Sequence, residues 1–220
     1  ITYSSLLQFG KAIKVYEQAL QIKPRSIEAH VNLGKTYYDA DEIDEAVKIF
    51  SRALKFGKDS AELHCNLGVA FQAKEQFCEA YDHYQTAIKL KPDYTDACNN
   101  LGTVLPKIAR NKNMLNQISD IKNPMDEAIQ YLKHAIRLSP DSIEAHYNLG
   151  LVYKELYEFE KAINCYEKAI QINPKYVNAY NNLGLLYQEL NEHKKAISYY
   201  EKALEINSNN PNVCNNLGLV

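Results

Sequence analysis

The sequence predicts an all-α chain built as a solenoid of stacked antiparallel helix pairs, and three observations predict it. Gly34, Gly68 and Gly102 stand 34 residues apart, as do Gly150, Gly184 and Gly218, and each closes an Asn-Leu-Gly triplet. Pro24, Pro92, Pro140 and Pro174 keep the same clock, with intervals of 68, 48 and 34. Between these markers apolar residues recur at helical spacing. A period of this length marks repeated supersecondary units, and a helix pair so small must stack on neighbours to bury its apolar face.

The units follow in order. Residues 1–26 form a partial unit closed by Pro24. In Ile27–Ser60, Gly34 and Ala46 let two helices approach closely and Tyr37 and Phe50 fill the space beside them; Lys58 replaces the proline, with Gly57 reversing the chain. Ala61–Tyr94 repeats the set with Gly68, Phe71, Ala80 and Tyr84. Thr95–Ser142 keeps Ala128 but puts Leu105 and Leu132 at the aromatic places, and carries 14 additional residues between Pro106 and Asn123. Ile143–Tyr176 is the most regular: Leu149, Val152, Tyr153 and Leu156 line one helix, Phe159, Ala162, Ile163, Tyr166, Ala169 and Ile170 the next, and Pro174 stops it. Val177–Asn210 has Gly184, Tyr187, Ala196 and Tyr200, with Ser208 for proline, and residues 211–220 begin another unit. Both ends cut through a first helix with no polar capping helix, so a fragment of a longer repeat chain, one solenoid over residues 1–220, is expected.

The insertion reads "PKIARNKNMLNQISDIKN". Pro106 should kink or end the first helix, and Asn123 before Pro124 signals the start of the second. Met114, Leu115, Ile118 and Ile121 have helix-like spacing, consistent with an added turn or two on the surface or with a partner-binding protrusion.

Composition narrows the function. Twenty-five basic residues against 27 acidic ones give a formal charge of −2, with no attraction to polyanions, so nucleic acid and anionic membranes are not expected partners. No apolar run spans a bilayer and no secretion signal opens the chain, which points to a cytoplasmic or nuclear protein. Cys65, Cys78, Cys98, Cys165 and Cys214 are odd in number and lack a CxxC pair, as suits packed thiols. His30, His64 and His146 share one place relative to their triplets and in a linear array stay a repeat apart, so packing is the expectation and no metal or cofactor is implied.

A unit with Leu and Gly at its seventh and eighth places, aromatics at the eleventh and twenty-fourth, Ala at the twentieth and twenty-seventh and Pro at the thirty-second resembles the tetratricopeptide repeat, over essentially the whole chain. The resemblance implies a right-handed superhelix whose first helices line a concave groove. The sixth place of every first helix is then Asn32, Asn66, Asn100, Asn148, Asn182 or Asn216, a file of amides along that groove. Asparagine is a poor helix former, so its recurrence needs a cause. Either the amide bonds to the neighbouring unit, or it meets the backbone of an extended peptide as donor and acceptor together. With helices about 10 Å apart and a strand rising about 3.3 Å per residue, each amide would meet about every third ligand residue. The file is similar to the repeat arm of O-linked N-acetylglucosaminyltransferases. Lys35, Tyr38, Lys154, Gln188 and Glu189 share the inner face. Acidic second places, Glu28, Glu62, Asp96 and Glu144, oppose the clamp by which related domains hold the terminal carboxylate of chaperones. They also suit helix N-termini.

No GxSxG, P-loop, HExxH or dinucleotide-binding turn is present, so the chain is not expected to be an enzyme. The leading expectation is a scaffold that binds an extended peptide or partner helix in the groove. Its alternatives are the substrate-recruiting arm of a larger enzyme, such as a protein O-glycosyltransferase, and end-to-end self-association.

Overall fold

The computed structural model describes residues 3–57, 59–118 and 120–220, with side chains from residue 8 onward. Lys58, expected at the turn where other units have proline, lies outside the described residues. Among the described residues all regular structure is α-helical. The chain divides into two compact units, Ile1–Pro124 and Met125–Val220.

In the first unit α1 (Tyr3–Ile22) precedes the pairs α2 (Ile27–Asp39) with α3 (Ile43–Leu54) and α4 (Ala61–Ala73) with α5 (Phe77–Leu90), followed by α6 (Thr95–Ala109) and α7 (Lys112–Gln117). Each helix packs on the next, and α4 also touches α2 and α6, which puts the three first helices in one layer. The second unit holds α8 (Pro124–Leu138), which starts at the boundary, the pairs α9 (Ile143–Glu155) with α10 (Phe159–Ile172) and α11 (Val177–Glu189) with α12 (His193–Ile206), and α13 (Pro211–Leu217).

Local chemistry fixes these boundaries. The hydroxyls of Ser26, Ser60 and Ser142 accept hydrogen bonds from the backbone N–H of Ala29, Leu63 and Ala145 at 3.2, 3.3 and 3.2 Å, capping α2, α4 and α9. First helices end where Asp41, Glu75, Tyr157 and Asn191 take φ of 66°, 57°, 59° and 60°. The left-handed residue lets the next N–H reach back: Glu42 to Tyr37 O, Gln76 to Phe71 O, Glu158 to Tyr153 O and Glu192 to Tyr187 O, at 2.8 to 2.9 Å.

The core is one contact repeated. A methyl group built on Gly34, Gly68, Gly150 or Gly184 would lie only 2.4–2.5 Å from a ring carbon of Phe50, Tyr84, Tyr166 or Tyr200. Glycine is therefore required for the space it leaves, and all four lie inside regular helices. Ala46, Ala80, Ala162 and Ala196 are buried beside them.

Two features depart from the sequence expectation. Pro106 does not end α6, which runs on to Ala109. Val104, Leu105 and Ile108 are fully buried, and burial at about 2 kcal/mol each outweighs the roughly 3 kcal/mol a helical proline costs. The first-helix remnant expected at the start is not separate either, since α1 is unbroken. Within the insertion, Asn111 Oδ1 accepts from the N–H groups of Asn113 and Met114 at 3.0 and 3.3 Å and so starts α7. This short helix lies against α5 and α6, with the Cys78 thiol 3.9 Å from Met114 O and Ile121 buried.

Candidate functional site

All six asparagines are half-buried on their first helices. Three of them, Asn100, Asn182 and Asn216, bond to the preceding repeat. Asn182 Nδ2 donates to Tyr147 Oη at 2.7 Å and to Asn178 O at 3.1 Å, and Asn216 Nδ2 donates to Asn181 Oδ1 at 2.9 Å. Asn100 hydrogen-bonds the Cys65 thiol, which burial pushes up to about 11. Tyr147, Asn181 and Cys65 all occupy the fifth place of the preceding repeat. In these three repeats the sixth-place amide binds to the acceptor that the fifth place of the preceding repeat offers. Before Asn66 the fifth place is Val31, which offers none, and Asn66 Nδ2 is buried without a partner. Sequence reading identified the file of amides but not the fifth-place partners, although the spacing of about 35 residues between partners was there to be read.

A second pair of places behaves alike. Tyr84 Oη donates to Gln72 Oε1 at 2.9 Å and Tyr200 Oη to Gln188 Oε1 at 3.0 Å, so Gln188, expected in the groove, is held by a core tyrosine. In the Ile143–Tyr176 unit the corresponding residue is Lys154, whose Nζ pairs with Glu189 at 2.9 Å. Tyr166 Oη is accordingly left without a partner.

Three of the expected groove residues come together in the first unit. Lys35 and Tyr38 from α2 and Asn66 from α4 line a cavity of about 150 Å³ with Asp39, Phe50 and Val69. Lys35 Nζ is 2.7 Å from Glu62 Oε1, an ion pair that ties the two repeats. Asn32, one turn from Lys35, uses its carbonyl to accept from Thr36. Asn148 has the same place on α9, and Asn148 makes an interaction of its own. The acidic second-place residues Glu28, Glu62, Asp96 and Glu144 are all exposed, and the Glu62 side chain keeps about half of its surface in solvent at 53%.

The histidines of equivalent place do not converge. His30 Nδ1 donates to Ser26 O at 2.7 Å, and His146 Nε2 donates to Pro140 O at 3.0 Å. His64 instead meets a residue sequence reading overlooked: its Nδ1 lies 3.0 Å from Nδ1 of His83 on α5, and the His83 ring stacks on Phe71. Burial first, then the neighbouring His64, lower His83 to about 4. Burial likewise pushes the Cys98 and Cys165 thiols up to about 11. Among the described residues no group of three or more His, Cys, Asp or Glu is placed to hold a metal, and no helix is long and apolar enough to cross a membrane.

Helix pairs in one register, with small residues at the close contacts and variable polar side chains on one face, define a helical-repeat protein. The chain belongs to the tetratricopeptide repeat family. Family models described as Tetratricopeptide repeat match residues 8–67, 61–94 and 141–209, and one described as TPR repeat matches 122–156. Among solved structures, YrrB, a TPR protein with an unusual peptide-binding site, is similar with a TM-score of 0.64 at 20% identity, over 91% of this chain and 96% of its own. MamA matches with a TM-score of 0.65 at 26% identity, over 84% of this chain and 93% of its own. A thermophilic TPR protein of Thermus thermophilus matches with a TM-score of 0.72 at 23% identity, over 88% of this chain and 98% of its own. No curated protein matches the sequence. A tetratricopeptide scaffold of this kind suggests protein–protein interaction.

Proposed function

We propose that the chain is an interaction scaffold that binds a peptide in extended form along its first-helix face. One observation carries the reading: Lys35, Tyr38 and Asn66, from two successive first helices, line a single cavity on that face. A surface formed by α2, α3 and α4, with apolar, amide, hydroxyl and charged groups converging, has the make-up of a ligand site. The peptide-binding site named for YrrB, a protein of similar fold, supports the reading. An extended chain fits the cavity better than a docked helix, because about 150 Å³ accepts one side chain rather than a row of them.

The test is a binding measurement on the whole chain. Tyr38→Ala and Asn66→Ala together should weaken capture of selected peptides by at least about tenfold, the equivalent of about 1.4 kcal/mol, while circular dichroism stays unchanged. Undiminished affinity in a fully helical double variant would refute the assignment.

A further inference from the structure

The amides of the file are chemically alike but not equally available. Turning the Asn182 or Asn216 side chain about its last torsion breaks bonds of 2.7 or 2.9 Å to a neighbouring repeat. Asn66 Nδ2 has no partner, so the same turn costs Asn66 no hydrogen bond from that atom. Asn66 can therefore direct either its N–H or its carbonyl toward a ligand, where Asn182 and Asn216 are held to one orientation.

The cavity beside Asn66 has a definite electrostatic character. The Lys35 cation is already matched by Glu62 at 2.7 Å. Asp39, at the end of α2, forms no ion pair among the described residues and is the unmatched charge of the site. Phe50 and Val69 supply apolar wall.

We infer that this cavity is the specificity subsite of the groove and takes a lysine or arginine side chain of an extended peptide. The methylene stem lies along Tyr38 and Val69, the cation meets the Asp39 carboxylate, and the Asn66 amide bonds to the ligand backbone. An acidic ligand residue would face Asp39 and find Lys35 already engaged by Glu62. This assignment rests on the proposed peptide-binding function and specifies its ligand chemistry.

The experiment is selection of random dodecapeptides displayed on phage against the whole chain, followed by fluorescence anisotropy on the enriched peptides. Lysine or arginine should be enriched at one position. Replacing that residue by norleucine should weaken binding about tenfold at low salt, and Asp39→Asn should do the same. In the Asp39→Asn protein the norleucine replacement should then cost nothing further. Selected peptides that bind without basic bias, or equal affinity for the wild type and Asp39→Asn, overturn this inference and leave peptide binding standing. Absence of any binding peptide, with helical content intact, overturns both.

Discussion

Deleting the hydroxyl of Tyr166 should leave stability unchanged or raise it, while the same deletion at Tyr84 or Tyr200 should lower it. All three rings are fully buried against a helix glycine, so Tyr→Phe preserves the packing and removes one polar atom. At Tyr84 and Tyr200 that atom donates to Gln72 and Gln188 at 2.9 and 3.0 Å. Losing a bond of this kind costs about 1 kcal/mol net, and leaving the amide oxygen underpaired brings the total to about 1–2 kcal/mol. At Tyr166 the hydroxyl is buried with no partner, because Lys154 stands where the glutamines do and reaches to Glu189 instead. An unsatisfied buried hydroxyl costs about 1–3 kcal/mol, all or part of which Tyr166→Phe recovers. The variants should therefore differ by about 2 kcal/mol in sign-opposed directions. Lys154→Gln should gain a similar amount by supplying the acceptor, less whatever the Lys154–Glu189 pair contributes. Because repeat arrays unfold in parts, the measurement should combine urea denaturation with hydrogen exchange at amides of α4–α5, α9–α10 and α11–α12. A loss for Tyr166→Phe as large as that for Tyr84→Phe would refute the reasoning.

Three further outcomes follow from the same geometry. Val31→Thr places a hydroxyl at the fifth place before Asn66 and should stabilise by about 1 kcal/mol, where burying a threonine hydroxyl without a partner would destabilise; the gain should vanish in Asn66→Ala when both are compared by urea unfolding. Gly184→Ala drives a methyl to 2.4 Å from a ring carbon of Tyr200 and should cost about 2–3 kcal/mol, seen as a lowered thermal midpoint, whereas Gly10→Ala, with open space around it, should not. His83, lowered to about 4 from 6.5, binds its proton more readily unfolded than folded, so stability is full above pH 6.5 and falls as pH drops toward 4. The full shift is worth about 3 kcal/mol, and partial solvent access to the ring reduces the expected loss to about 1–2 kcal/mol. His83→Phe should flatten this part of the pH–stability profile, and an unaltered slope would exclude the pair as its source.

The repeating part of the fold was legible because its cause is periodic. A glycine at a fixed place facing an aromatic one helix away, with a buried alanine one turn before that aromatic, states the same packing in successive units, and helix starts at Ile27, Ala61, Thr95, Ile143 and Val177 coincide with the register. What repeats only once carries no such signal. The path of α6 through Pro106 depends on how deeply Val104, Leu105 and Ile108 are buried, and the seat of α7 depends on α5, an element far off in sequence. The first helix lacks a turn where a unit register asks for one. At the site, the position of the asparagines was readable, but whether each amide is engaged depends on a side chain one repeat earlier. The His64–His83 pair was missed because its members hold different places on two helices.

Fifth and sixth places form one polar circuit of the repeat, and twelfth and twenty-fourth form another. The circuits close at Tyr84–Gln72, Tyr200–Gln188 and the Asn100, Asn182 and Asn216 amides, and a polar atom is left stranded at Tyr166 and at Asn66. The stranded atoms differ in what can relieve them. Tyr166 Oη belongs to a fully buried ring packed on Gly150, where no ligand atom has room to approach, so its mismatch is a cost in stability alone. Asn66 belongs to the wall of a cavity that already presents a carboxylate and an apolar surface. There the missing acceptor can come from outside the chain, and the free energy forgone in folding becomes available to binding. By this argument Val31→Thr and peptide affinity are linked: satisfying Asn66 from within should stabilise the array and weaken the ligand together. A variant that gains stability while keeping full affinity would separate the two and remove Asn66 from the site.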